Sequence, residues 1–108
     1  MVYLALTGEK SGVISAVSSL GHASEENAAA CSAISSLLRT FAVVLEQIPS
    51  VKLAGNAPNR GEFYCRIEKF GNEYLERIKG VCDFLLTGLR LIKQDFPNDI
   101  TLDINWNG

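Results

Sequence analysis

The sequence predicts an α+β fold: a mainly antiparallel five-stranded sheet layered with two helices, its elements in the order ββαββαβ. Three patterns carry that prediction. Five segments alternate in the manner of strands, and two long segments repeat apolar residues every three or four positions. Gly-, Asn- and Pro-containing stretches separate them.

Val2, Leu4 and Leu6 alternate with Tyr3, Ala5 and Thr7, the period of a strand buried mainly on one face. Gly8-Glu9-Lys10-Ser11-Gly12 is turn chemistry. Val13 to Leu20 alternates again, with Ser15 and Ser19 on the opposite parity from Ile14 and Leu20. Two such runs across a five-residue Gly-containing loop predict a hairpin, closed by Gly21-His22-Ala23. Ser24-Glu25-Glu26-Asn27 holds the signals of a helix start, with Ser24 and Asn27 as alternative caps and acids in the first turn. Ile34, Leu37, Leu38, Phe41, Val44, Leu45 and Ile48 then follow helical spacing until Pro49. Nearly every side of this helix is apolar or small, which predicts burial on more than one face or self-association.

Val51 to Ala54 reads as a short strand, and Gly55 to Gly61 (Gly-Asn-Ala-Pro-Asn-Arg-Gly) as an open loop. Phe63, Cys65 and Ile67 alternate with Tyr64, Arg66 and Glu68 to complete a second hairpin. Asn72 is placed to cap a long helix with a stripe of Tyr74, Ile78, Val81, Cys82, Leu85, Leu89 and Ile92. Pro97-Asn98-Asp99 breaks it. Ile100, Leu102, Ile104 and Trp106 alternate with Thr101, Asp103 and Asn105 as the last strand.

With 108 residues the chain is read as one domain over 1–108 with a single core. At 47% hydrophobic and 20% charged residues it has the composition of an ordinary soluble globular chain. A net charge of -2 without a basic cluster argues against direct nucleic-acid binding. No apolar stretch is read as approaching a membrane span, and Met1 leads straight into a strand rather than a signal sequence. Cys31, Cys65 and Cys82 are odd in number and scattered, which fits reduced thiols in a cytoplasm. No pair has the Cys-x-x-Cys spacing of structural zinc, and no Gly-rich phosphate loop is present, so neither metal nor cofactor is expected.

Chemistry concentrates on His22 and Cys31. A thiol and an imidazole suffice to build a nucleophile near neutral pH, since free Cys titrates near ~8.5 and free His near ~6.5. With Asn27 as cap, Cys31 lies within about a turn of the helix start, where N–H groups and the helix dipole favour a thiolate; with Ser24 as cap it lies nearly two turns in. Against this, a lone helical cysteine is commonly a small buried residue and a strand-end histidine commonly a solvated one. Ala28, Ala29, Ala30, Ser32 and Ala33 are small enough to let a peptide approach the sulfur. Cys65 and Cys82 lie on apolar faces and read as core thiols.

Gly21-His22-Ala23, followed by Cys31-Ser32-Ala33-Ile34-Ser35 at a helix start, resembles the bacterial ribosomal-processing cysteine protease family (Prp). The element order and length are similar over essentially the whole chain. The segment between the two residues is shorter than is usual in the family and lacks its glycine and its Asp-Ile-Val-like run. The resemblance implies a cysteine endopeptidase, generally a homodimer, that removes an N-terminal extension from a large-subunit ribosomal protein. It assigns His22 as the catalytic histidine and Cys31 as the nucleophile, with Ser35 near the thiol. Backbone N–H groups near Ala30, Cys31 and Ser32 are the expected oxyanion donors, and Glu25 and Glu26 are available to basic side chains of the substrate. The alternative is a non-catalytic dimeric module that binds a peptide or ribosomal partner through a poorly activated thiol.

Overall fold

The computed structural model describes residues 1–56 and 61–107. Strands β1 (Val2–Gly8) and β2 (Ile14–Gly21) lead to helix α1 (Ala28–Glu46). Strands β3 (Lys52–Asn56) and β4 (Glu62–Lys69) then lead to α2 (Leu75–Asp95) and β5 (Ile100–Trp106). Single 3-10 turns, Glu25–Asn27 and Asn72–Tyr74, precede the two helices. The third strand begins and ends one or two residues later than its apolar run, and residues 57–60 of the expected open loop lie outside the described residues.

The sheet order is β3-β4-β2-β1-β5. Every neighbouring pair is antiparallel except β1 and β5, which run parallel with Val2 opposite Ile100 and Leu6 opposite Ile104. A parallel neighbour requires a crossover, and the chain between β4 and β5 supplies it as α2. The core fills one face: Val2, Leu4, Leu6, Val17, Ile67 and Ile100 from the sheet meet Ile34, Leu38, Phe41 and Leu45 of α1 and Ile78, Cys82, Leu85 and Leu89 of α2. Burying each large side chain is worth roughly 1.5–3 kcal/mol before entropy is counted. The opposite sheet face leaves Tyr3, Leu20 and Tyr64 exposed, as a two-layer antiparallel sheet permits.

Strand β2 departs from its expected facing. Thr7 pairs with Ala16 but Gly8 with Ile14, so a bulge takes up Ser15 and reverses the parity beyond it. Ile14, Val17 and Ser19 consequently face the core, while Leu20 points outward. Ser19 lies opposite Leu4 and cannot turn away without breaking that register.

Helix α1 fully buries one stripe (Ala30, Ile34, Leu38, Phe41, Leu45) and partly covers a second flank. Its second apolar flank meets α2, where the Leu37 side chain lies over Gly88, and Val43 remains exposed. The segment Glu25–Glu46, 22 residues, is long and apolar enough to cross a membrane by length and composition, which corrects the expectation that no stretch approaches such a length. In this fold the segment lies against the sheet, its apolar content explained by the sheet on one side and α2 on the other.

The expected caps also differ. Gly71, not Asn72, precedes the turn before α2, and no side-chain cap is made there. Asn27 is the residue before α1, yet neither Ser24 nor Asn27 caps with its side chain. Both turn elsewhere.

Candidate active site

Gly21 ends β2 with φ of 98°, a left-handed conformation that places its Cα against the Met1 carbonyl, where a Cβ would sit 2.2 Å from the oxygen. Only glycine fits. The chain then turns out of the sheet, and the His22 carbonyl accepts a hydrogen bond from the Met1 ammonium at 2.7 Å. Ala23 follows, and its N–H donates to Cys31 Sγ at 3.1 Å. Each member of the Gly-His-Ala triplet thus has a separate physical task.

Cys31 is the fourth residue of α1, which resolves the two cap alternatives: Ser24 heads the 3-10 turn, and the α-helix begins only after Asn27. The thiol is half-buried, whereas Cys65 and Cys82 are buried. Burial pushes the Cys82 thiol up to about 11 despite the Ile14 N–H that its sulfur accepts at 3.2 Å. Burial also raises Cys65, with the Glu46 carboxylate adding to it. Both are thiols of the core, as their faces suggested.

The His22 ring is exposed and rests on the backbone of Gly61. Gly61 has φ of 82°, and its carbonyl accepts the Gly21 N–H at 3.0 Å, so the start of β4 is tied to the end of β2 beneath the imidazole. Among the described residues, no side chain hydrogen-bonds the ring, and no hydrogen bond joins it to the Cys31 sulfur.

His22 and Cys31 line one cleft of about 880 Å³, together with Ser32 and Ser35 on the exposed side of α1 and Phe63 across it. Glu25 reaches this cleft, as does Arg39 two turns beyond Cys31, whereas Glu26 does not. Ala30 is fully buried and, unlike Ser32 and Ser35, does not line the cleft. Among the described residues no three His, Cys, Asp or Glu side chains gather as metal ligands would.

Two contributors escaped the sequence reading. Gly61 reads in sequence only as part of a loop, although its position next to the fourth strand is a signal for a special backbone angle. Asp99 reads in sequence as part of the Pro97-Asn98-Asp99 breaker. Its carboxylate accepts the Ser24 N–H at 3.1 Å, the Ser24 hydroxyl at 3.5 Å and the Asn27 side-chain amide. These bonds, the Ser24 N–H first and the Asn27 amide next, hold the Asp99 carboxyl below the ordinary carboxylate range. The two side chains expected to cap α1 are therefore both held by this carboxylate.

Comparison with known proteins agrees with this architecture. A family model described as cysteine protease Prp matches residues 1–101. A ribosomal processing protease Prp from S. aureus, solved with a covalently linked product peptide, is similar with a TM-score of 0.78 at 20% identity, over 99% of this chain and 100% of that one. The same protease solved with a substrate peptide gives a TM-score of 0.78 at 16% identity, over 99% and 100% of the two chains. SMU.848 from Streptococcus mutans gives 0.79 at 21% identity over 99% of each chain. No curated protein sequence matches the chain.

Proposed function

Because the chain belongs to the cysteine protease Prp family, we propose that it cleaves peptides with a Cys31/His22 dyad and that its substrate is the N-terminal extension of a large-subunit ribosomal protein. One observation carries the reading: the only half-buried thiol and the only imidazole open into the same cleft, and a backbone N–H already points at the sulfur. The substrate class is supported by the S. aureus protease, a ribosomal processing enzyme solved with substrate and product peptides.

In the reaction, His22 takes the Cys31 proton and the sulfur attacks the scissile carbonyl carbon. The resulting oxyanion is met by backbone N–H groups of the first turn of α1, since those of Cys31 and Ser32 lie past that turn and are spent within the helix. Collapse of this intermediate breaks the C–N bond, and imidazolium passes its proton to the leaving amine. Water, deprotonated by His22, then hydrolyses the thioester and restores the thiol. The peptide lies over Ser32 and Ser35, whose short side chains leave room beside the sulfur.

The protein is further proposed to act in the cytoplasm, where its three free thiols would stay reduced, and as a homodimer, with Phe84 (72% exposed) and Leu91 on α2 available to a second copy. Sedimentation of the purified chain tests the second point.

The decisive experiment incubates the chain with the ribosomal-protein precursor of the same cell, comparing wild type with Cys31→Ala and His22→Ala. Cleavage by wild type alone supports the reading; no cleavage by wild type removes the substrate. The missing thiol–imidazole hydrogen bond is the observation that favours a non-catalytic peptide-binding module. Iodoacetamide separates the two. An activated Cys31 alkylates well below pH 8 and loses that profile in His22→Ala, whereas an ordinary thiol does neither.

A further inference from the structure

We infer that Asp99 is a positioning residue of this site, clamping the segment between His22 and Cys31 so that the thiol and the imidazole are held at a fixed spacing. The inference rests on the dyad reading above and extends it to a residue in the turn before β5.

The clamp has two jaws on one carboxylate. Ser24 donates both its N–H and its hydroxyl, at 3.1 and 3.5 Å, and the Asn27 amide donates to the same group. Ser24 directly follows Ala23, whose N–H meets the Cys31 sulfur. Asn27 directly precedes α1, which carries Cys31. Fixing both residues therefore fixes the segment at each end.

The base of the clamp is rigid. The Asp99 carbonyl accepts the Val2 N–H at 2.7 Å and its own N–H donates to the Phe96 carbonyl at 3.1 Å. Asp99 is only 8% exposed, and its neighbour Ile100 is 1% exposed in the core. Movement of the carboxylate would thus have to drag the start of β1 and the end of α2 with it.

The arrangement also has a cost that packing alone does not explain. Ser24 and Asn27 are side chains of the type that caps helices, a contact that stabilises a helix start. Neither makes one; both turn to Asp99 instead. A segment that needed only a stable helix start could cap itself locally. What the distant carboxylate adds is a tie between this segment and the strand layer from which His22 emerges.

The test uses the full chain and four variants: Asp99→Asn, Asn27→Ala, their combination, and Cys31→Ala as reference. Peptide cleavage gives kcat and KM, iodoacetamide gives the alkylation rate of Cys31 against pH, and a thermal melt confirms folding. A looser dyad lowers kcat about tenfold or more with KM changed less than about threefold, since displacement by an ångström costs up to ~100-fold. It also shifts the pH profile of Cys31 alkylation, which a loss of stability alone would not do. The combined variant should be no worse than the poorer single one, because the two side chains act through one contact.

Folded Asn27→Ala with wild-type kcat and wild-type alkylation profile overturns the inference. If Asp99→Asn does not fold, Asn27→Ala decides alone, since it removes one jaw and leaves the base. Cleavage by Cys31→Ala would instead overturn the dyad reading itself, so the two failures are distinguishable.

Discussion

Replacing Gly61 with alanine tests how closely the backbone supports the imidazole. A Cβ at this position would lie 2.4 Å from His22 Cε1 and 2.6 Å from Nε2, where ordinary contact begins at 3.4 Å. The ring must therefore retreat by about 1 Å, because the other neighbour is the Gly21 carbonyl oxygen at 3.1 Å, which belongs to backbone. A displacement of that size in a catalytic group costs on the order of 100-fold in rate, or ~2.7 kcal/mol of barrier. Gly61 also has φ of 82°, so alanine adds backbone strain of roughly 1–2 kcal/mol to the folded state. Steady-state cleavage of a peptide spanning the precursor's processing site, paired with a thermal melt, separates the two effects. Gly61→Ala should remain folded with a lower melting temperature and lose most of its kcat. A variant that melts lower yet keeps wild-type kcat would refute the argument that Gly61 sets the position of His22.

Three further outcomes follow from the same geometry. In the native protein at pH 8, iodoacetamide should modify Cys31 and spare Cys65 and Cys82, which are 4% and 1% exposed and should react only in denaturant; mass spectrometry after digestion reads the sites. Stability should fall by about 2 kcal/mol between pH 9 and 11, because the unfolded chain releases the Cys82 proton near the ordinary thiol value while the folded chain holds it to about 11. Urea unfolding across that range should lose much of this slope in Cys82→Ala. The lowered Asp99 carboxyl has the opposite sign: its contribution is present above the ordinary carboxylate value near ~3.9 and is lost as pH falls through the folded one. Acid unfolding of Asp99→Asn should lack that component, and an acid limb identical to wild type would contradict it.

The order of elements was readable because strand alternation and helical spacing are local signals. Val2-Leu4-Leu6 and the stripe from Ile78 to Leu89 needed no knowledge of their partners. Errors arose where a distant partner decides. Leu20 outranks Ser19 in hydrophobicity, yet the bulge at Ser15 and the register with Leu4 turn Ser19 inward. Ser24 and Asn27 have the chemistry of caps, but an acceptor 72 or more residues away captures both. Cap preference is a contest among nearby acceptors, and sequence lists only those close along the chain.

Residue type and short-range period were enough for the α+β order, for His22 and Cys31 as the candidate pair, and for the core placement of Cys65 and Cys82. Tertiary structure alone decided that the pair shares one cleft, that Gly61 lies under the imidazole, and that Asp99 grips the segment between thiol and ring. Those are contacts between residues remote in the chain. They exist only because β5 pairs with β1 and β4 pairs with β2, and no local pattern specifies which strands will meet.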